Sequence, residues 1–232
     1  LKEDAARPTQ RNPVSTKKVR KPVRRGDKVM LILKRHYQWW LAMMALCKIG
    51  AVAIPATHML TTKDIVYRNR RASVKAIICV NDEYVTTQVR LSVPESPTVE
   101  VLVAVNSMAQ RDNPVPEGFH DWHKEWPEAP AFVRPEEVNT NGDTMLMYFT
   151  SGTSGEPKMV AHDYLYALGH LVTGVFWHNL DGNGIHLTVA DTGWGKAVWG
   201  KLYGQWFAGA TVFVYDHEKF TAGKIMRVME KY

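Results

Sequence analysis

Little in this sequence suits crosslinking, metal binding or membrane insertion. Only two of its 232 residues are cysteine, Cys47 and Cys79; each sits inside an apolar stretch (ALCKIG and AIICVN), without CxxC spacing. That argues against a disulfide or zinc framework and for a reducing compartment. The longest unbroken apolar run, Trp39 to Cys47, is nine residues, far short of the about 20 that a membrane-spanning helix needs. No apolar segment follows the basic N-terminus, so no secretory signal is visible and the chain reads as soluble and cytoplasmic. His123, His178 and His186 show no metal-ligand spacing with cysteine or acidic partners. There is no internal repeat and no low-complexity block.

What is abundant is apolar. Hydrophobic residues make up 45% of the chain, with eight Trp and ten Met, enough for a substantial core and for apolar pockets within it. The net charge of +6 is unevenly spread. Residues 1–25 hold nine Lys/Arg against two acids, whereas the remainder holds twenty basic and twenty-one acidic residues. The basicity therefore belongs to one tail, read as a solvated and poorly ordered terminus. The rest is nearly neutral and carries no nucleic-acid-binding motif.

From Arg25 onward the pattern is regular. Short apolar runs at Lys28–Leu33, Ala51–Ile54, Val74–Val80 and Val99–Val105 read as strands. Between them, His36–Ile49 reads as a helix stopped by Gly50, and a second helix starts near Lys63, capped by Thr61 or Thr62. This strand–helix alternation predicts an α/β fold, mostly parallel sheets flanked by helices. Residues 106–142 are irregular and rich in Pro, Asn and Glu, so two subdomain portions are expected to meet there. Beyond lie a strand at Thr144–Phe149, a helix from about Asp163 with Asp163 as N-cap, and a strand near Ile185–Val189. One Trp-rich helix is expected over Lys196–Phe207, then a strand at Ala210–Val214 and a last amphipathic helix over Thr221–Tyr232.

Residues 148–158 read Tyr-Phe-Thr-Ser-Gly-Thr-Ser-Gly-Glu-Pro-Lys. Gly152 and Gly155 permit backbone conformations and close approaches that side chains block. Thr150, Ser151, Thr153 and Ser154 offer hydroxyls, and successive backbone N–H groups can form an anion-binding nest. Lys158, held by the stiff Pro157, adds a full positive charge. Hydroxyls, nest and cation together suit a polyphosphate. The Gly-x4-Gly-Lys-Ser/Thr loop is excluded, because Pro157 stands where its second glycine would fall and Met159 where its hydroxyl would. A flexible Ser/Gly linker is disfavoured by the strand entering the segment and the apolar Met159-Val160-Ala161 leaving it; the loop is expected to join two strands beside a cleft.

The whole string from Tyr148 to Lys158 resembles the phosphate-binding loop of the adenylate-forming (AMP-binding) superfamily, which includes acyl-CoA synthetases, luciferases and peptide-synthetase adenylation domains. Gly26-Asp27-Lys28-Val29 and Lys48-Ile49-Gly50-Ala51-Val52-Ala53-Ile54-Pro55 resemble its early motifs, and Asp191-Thr192-Gly193-Trp194-Gly195-Lys196 resembles the Asp-x-Gly-Trp segment of acetyl-type and medium-chain synthetases. The resemblance runs from about Arg25 to Tyr232; residues 1–24 do not share it. It implies a ligase that joins a carboxylate to ATP, releasing pyrophosphate, and then passes the acyl group from AMP to CoA. ATP, Mg²⁺ and CoA would be its cofactors and co-substrates, with Thr150, Ser151, Gly152, Thr153, Ser154, Gly155, Glu156, Pro157 and Lys158 on the phosphates. Lys158 would stabilise the leaving charge. The wording of the Trp segment favours a short-chain, branched or medium-chain acid, as in fatty acid metabolism.

Trp194, Lys196, Trp199 and Trp177 are the acyl-pocket candidates. On a continuous helix Lys196, Trp199 and Tyr203 share one face, where Trp199 would truncate the acyl channel and Lys196 would orient the carboxylate. Packing of the tryptophans between subdomains is the competing reading, and the sequence leaves both open. His162 and His170 are expected to be structural. The superfamily's later motifs, for adenine, ribose, the hinge and the adenylation lysine, do not occur here. The expectation is therefore a partial N-terminal domain, 25–232, without the C-terminal domain and inactive alone, the inferred activity being that of the full-length enzyme. The alternatives are a non-catalytic nucleotide-binding module and an adenylating enzyme that loads a carrier protein.

Overall fold

The computed structural model describes residues 22–151, 155–217 and 219–232. Most of the basic tail, and Gly152, Thr153 and Ser154 of the loop, lie outside the described residues. Strand β1 (Lys28–Ile32) is followed by α1 (Gln38–Ile49), β2 (Val52–Pro55), α2 (Thr62–Ala72) and β3 (Val74–Val80). Val29 through Leu33 are each exposed by 1% or less. Burial is consecutive rather than alternating, as in a strand covered on both faces. Helix α1 stops at Gly50, whose φ is 72°. Thr61 is the cap of α2: its side chain accepts from Asp64 N, while Asp64 accepts from Thr61 N, a reciprocal capping box.

Helix α3 (Glu83–Ser92) was not anticipated from the sequence. Its signals are present, however: Asp82 Oδ1 accepts from Val85 N at 3.3 Å, and Val85 and Val89, one turn apart, are buried. Strand β4 (Val101–Val105) follows. The irregular stretch then contains a 3-10 turn (Met108–Gln110), β5 (His120–Asp121) and α4 (Trp122–Glu125). Strands β6 (Thr144–Thr150) and β7 (Lys158–Asp163) form an antiparallel hairpin. The main sheet has the order β5-β4-β3-β1-β2-β6-β7 and is parallel except for that hairpin.

Helix α5 (Leu165–Val172) runs into a π-helical turn, Thr173–Trp177. Asp163 does the capping expected of it from the end of β7: its Oδ1 accepts from Leu165 N at 3.0 Å and Tyr166 N at 3.3 Å. β8 (Ile185–Leu187) and β9 (Thr211–Phe213) form a separate parallel pair, and α8 (Ala222–Lys231) ends the described chain.

The single helix expected over Lys196–Phe207 is two helices, α6 (Gly195–Lys201) and α7 (Tyr203–Phe207). The break falls at Leu202, with φ −135° and ψ −88°. It buries Leu202 completely and sets the backbone of Gly204 against Gly174, so closely that a Cβ on residue 174 would stand 2.3 Å from the Gly204 carbonyl oxygen. Tyr203 therefore does not share a helical face with Lys196 and Trp199; it is buried, with its hydroxyl 3.4 Å from Met145 Sδ.

Candidate functional site

A cleft of about 580 Å³ opens where the carboxyl ends of β2 and β6 meet the segment entering α6. One wall is Pro55, Ala56 and Thr57, just past β2; another is Tyr148 to Ser151; a third is Gly193 to Lys196 with Trp199. This is the usual place for a ligand in a parallel sheet, outside the carboxyl ends of the strands.

The loop after β6 is held at both shoulders. Thr150 lies directly opposite Lys158 in the hairpin register. On the exit side, Tyr67 of α2 donates its hydroxyl proton to the Pro157 carbonyl at 2.9 Å. Val160 and His162 line the cleft, and side chains two apart on a strand share a face. Lys158, exposed at the start of the same strand, therefore lies on the cleft side of the hairpin at its mouth. Gly155, with φ 100°, and Glu156 are exposed.

The Asp191–Trp194 segment is locked onto the strand ends. Gly193 touches backbone: a Cβ there would stand 2.2 Å from both Ala56 C and Thr57 N. Thr192 Oγ1 donates to the Lys34 carbonyl. Asp191 Oδ1 accepts from Gly193 N at 2.9 Å, and its Oδ2 faces His58 Nδ1 at 3.4 Å. Burial opposes ionisation of Asp191, but His58, the Gly193 N–H and Arg35 outweigh it and hold the carboxyl below its ordinary range. Behind it, Lys201 donates from Nζ to the Ala190 carbonyl at 2.6 Å. Burial and the nearby Arg35 lower its pKa to about 8, against the pull of Asp191.

Trp194, 59% exposed, the exposed Lys196 and the half-buried Trp199 all line the cleft. The Trp199 indole lies between two imidazoles, with centroids 6.1 Å from His170 and 5.6 Å from His178 and interplanar angles of 18° and 14°. Lys196 Nζ stands 5.8 Å from the same ring. Trp177 is not brought into the cleft. It is 78% exposed and lines a second cavity of about 460 Å³ with Phe176, His170 and Trp199, so Trp199 faces both spaces. His162 and Tyr166 also line the cleft. Burial lowers the pKa of His162, and of His170, where His162 adds to the effect. Tyr67, Arg68 and His58 were not singled out from the sequence; the paired Asp64-x3-Arg68 spacing on a capped helix was the available signal for Arg68.

Among the described residues no cluster of His, Cys, Asp or Glu could hold a metal ion, and no helix is long and apolar enough to cross a membrane. Cys47 and Cys79 are free.

Residues 19–232 match the family model described as AMP-binding enzyme. The chain is 33% identical over 211 residues to human acyl-coenzyme A synthetase ACSM3, mitochondrial, covering 90% of this chain and 34% of that protein. It is 34% identical over 208 residues to mouse acyl-coenzyme A synthetase ACSM5, mitochondrial, covering 88% and 34%. The chain thus spans about a third of the length of these relatives. Among solved structures, it superposes on a Brucella canis acyl-CoA synthetase with a TM-score of 0.77 at 20% identity, over 90% of this chain and 36% of that one. It superposes on the anthranilate CoA ligase AuaEII, solved with anthranoyl-AMP, with a TM-score of 0.80 at 19% identity, over 90% and 39%. These two likenesses bear on the fold, a mostly parallel sheet flanked by helices.

Proposed function

This chain belongs to the AMP-binding enzyme family, and we propose that it supplies the phosphate-binding loop and acyl pocket for ATP-dependent activation of a short- to medium-chain or branched carboxylic acid. The carboxylate attacks the α-phosphate of ATP, giving acyl-adenylate and pyrophosphate; the CoA thiol then displaces AMP, giving acyl-CoA. The observation that carries this is the β6–β7 hairpin, whose Thr150 and Lys158 face each other beside a cleft lined by both apolar and cationic side chains.

Thr150 to Lys158, including Gly152, Thr153 and Ser154, bind the polyphosphate. Lys158 opposes the charge that grows on the leaving pyrophosphate. Mg²⁺ enters with ATP as part of that substrate. Trp194 and Trp199 wall the acyl pocket, and Lys196 orients the carboxylate. Trp177 belongs to the space beyond Trp199, where a longer acyl chain would extend. Residues 25–232 act as part of the nucleotide-binding domain, and 1–24 as an appended basic tail. Two free thiols fit a reducing compartment such as the cytoplasm, while the mammalian relatives' names carry the word mitochondrial.

The test is acid-dependent exchange of labelled pyrophosphate into ATP by the whole enzyme, across acids from acetate to octanoate. Exchange that requires the acid supports the reading. ATP hydrolysis without exchange, or exchange indifferent to the acid, overturns it.

A further inference from the structure

The cleft holds a second cation that the loop does not account for. Arg68, on α2, lines it, and its side chain is only 13% exposed. Its Nη1 donates to the Asp64 carbonyl at 3.0 Å, and its guanidinium carbon lies 5.3 Å from the Phe149 ring centroid. The acid one turn away is a poor counterion. Asp64 Oδ1 is 4.0 Å from Nη1, while Oδ2 accepts from Thr61 N at 3.0 Å and Thr61 Oγ1 at 2.6 Å to build the helix cap. A guanidinium has five N–H donors and stays charged. Here it is largely desolvated against a carbonyl, a ring and a distant carboxylate, an arrangement that is costly unless an anion completes it.

The surroundings select for an anion. The described residues lining the cleft include Lys196 as a further cation and no Asp or Glu. The hydroxyl residues Thr150 and Ser151 line the same space, directly after the Phe149 ring on which Arg68 rests. The neighbouring Tyr67 holds Pro157 at the loop exit and sets its ring edge-on to Phe149, with centroids 6.1 Å apart. One turn of α2 thus braces the loop exit and places a fixed charge beside the loop entry.

We propose that Arg68 is a phosphate-binding residue, contacting the polyphosphate of ATP from beside Thr150 and Ser151. The assignment rests on the reading of the loop after β6 as a polyphosphate site. A planar, ring-supported guanidinium suits bidentate phosphate recognition, and its place on a helix gives it a position independent of the loop.

Calorimetric titration of the whole enzyme with MgATP, inorganic pyrophosphate and adenosine tests this, in wild type and in R68Q, R68K and R71Q; Arg71 is exposed on the same helix. R68Q should weaken MgATP and pyrophosphate by about tenfold, the loss expected for one charged hydrogen-bonding partner. R68K should recover part of that, R71Q should match wild type, and adenosine should bind all four alike. If R68Q binds MgATP as tightly as wild type, the Arg68 assignment fails and the loop reading stands. If R68Q weakens adenosine as much as MgATP, Arg68 is structural and the assignment also fails. No binding of MgATP or pyrophosphate by the folded wild type overturns both.

Discussion

Trp199 is the residue on which the acyl-pocket reading can be tested most sharply. It lines the 580 Å³ cleft and the 460 Å³ cavity alike, so the indole is the partition between them. Trp199→Ala should join the two spaces; Ala is preferred to Gly because the position lies within α6, where Gly costs about 1 kcal/mol more. Each methylene buried fully gains about 0.8 kcal/mol, roughly fourfold. The second cavity is open, however, with Phe176 80% and Trp177 78% exposed. Half-burial is the better expectation there, about 0.4 kcal/mol or roughly twofold per carbon, hence about fifteenfold over four carbons. The competing effect is loss of packing. A fully buried Trp truncated to Ala costs about 3–5 kcal/mol, and the half-buried Trp199, stacked between two imidazoles, should cost less. That loss lowers the melting temperature and depresses activity equally for every acid. The assay is kcat/KM for straight-chain acids from acetate to octanoate in the whole enzyme, mutant over wild type, beside a melting curve. A ratio that climbs with each carbon supports the partition. A ratio flat across the series would make Trp199 a packing residue and remove the main support for where the acyl chain lies.

Gly193→Ala should cost several kcal/mol, because backbone atoms of Ala56 and Thr57 occupy the place of its Cβ, whereas Gly195→Ala meets nothing within 4 Å; equal melting temperatures for the two variants would contradict the docking described. Lys158→Ala should lower kcat in the exchange reaction by about 10²–10³-fold with little change in the KM for acid, and a raised acid KM with intact kcat would put the lysine in the wrong site. Burial lowers the pKa of His162, His170, His178 and His186 from 6.5. The folded chain then binds fewer protons than the unfolded one, so this stability is complete above about pH 6.5 and is lost as pH falls below it. The melting temperature should drop between pH 7.5 and pH 5, and His178→Asn should flatten the slope; no drop in wild type would refute the sign.

Much of the fold was legible because parallel strands buried on both faces write themselves as unbroken apolar runs. Val29–Leu33 is such a run and Val74–Val80 is broken only by Lys75, and both strands lie at the centre of the sheet. Helix α3 was passed over because its amphipathic signal is weak: Thr86 and Ser92 are buried polar residues on the face that Val85 and Val89 share. The break at Leu202 was not legible at all. Local periodicity continues through it, and only the contact of Gly204 with Gly174, thirty residues away, decides it. The candidate site divides the same way. The loop's hydroxyls, glycines and lysine are contiguous and could be read together. Arg68, His58 and Tyr67 come to the cleft from another part of the chain, and no local pattern announces their meeting with Phe149, Asp191 and Pro157.

The position of the cleft follows from one small feature. Strands β1 and β2 lie side by side and end at Ile32 and Pro55; just past those ends lie the Lys34 carbonyl and the Ala56–Thr57 backbone. A segment can lie flat on such ends only if it brings hydrogen-bond partners and no bulk. Asp191-Thr192-Gly193 does both. Thr192 donates to the Lys34 carbonyl, Asp191 turns back to its own chain at Gly193 N and outward to His58, and Gly193 lets the backbones touch. Trp194 and Lys196 are then delivered to the cleft by α6, which Lys201 holds from behind through Ala190, while Trp40 of α1 donates to the Lys201 carbonyl at 2.8 Å. The wall that carries Trp194 and Lys196 is therefore fixed to the core by Asp191, Thr192, Gly193 and Lys201, while Trp199 also stacks against His170 and His178. Substituting Trp194 or Trp199 should accordingly change which acid binds while leaving the cleft in place, whereas bulk at position 193 should displace the whole wall and impair every acid alike. Acid selectivity for the first group and uniform loss for the second are the two outcomes this arrangement requires.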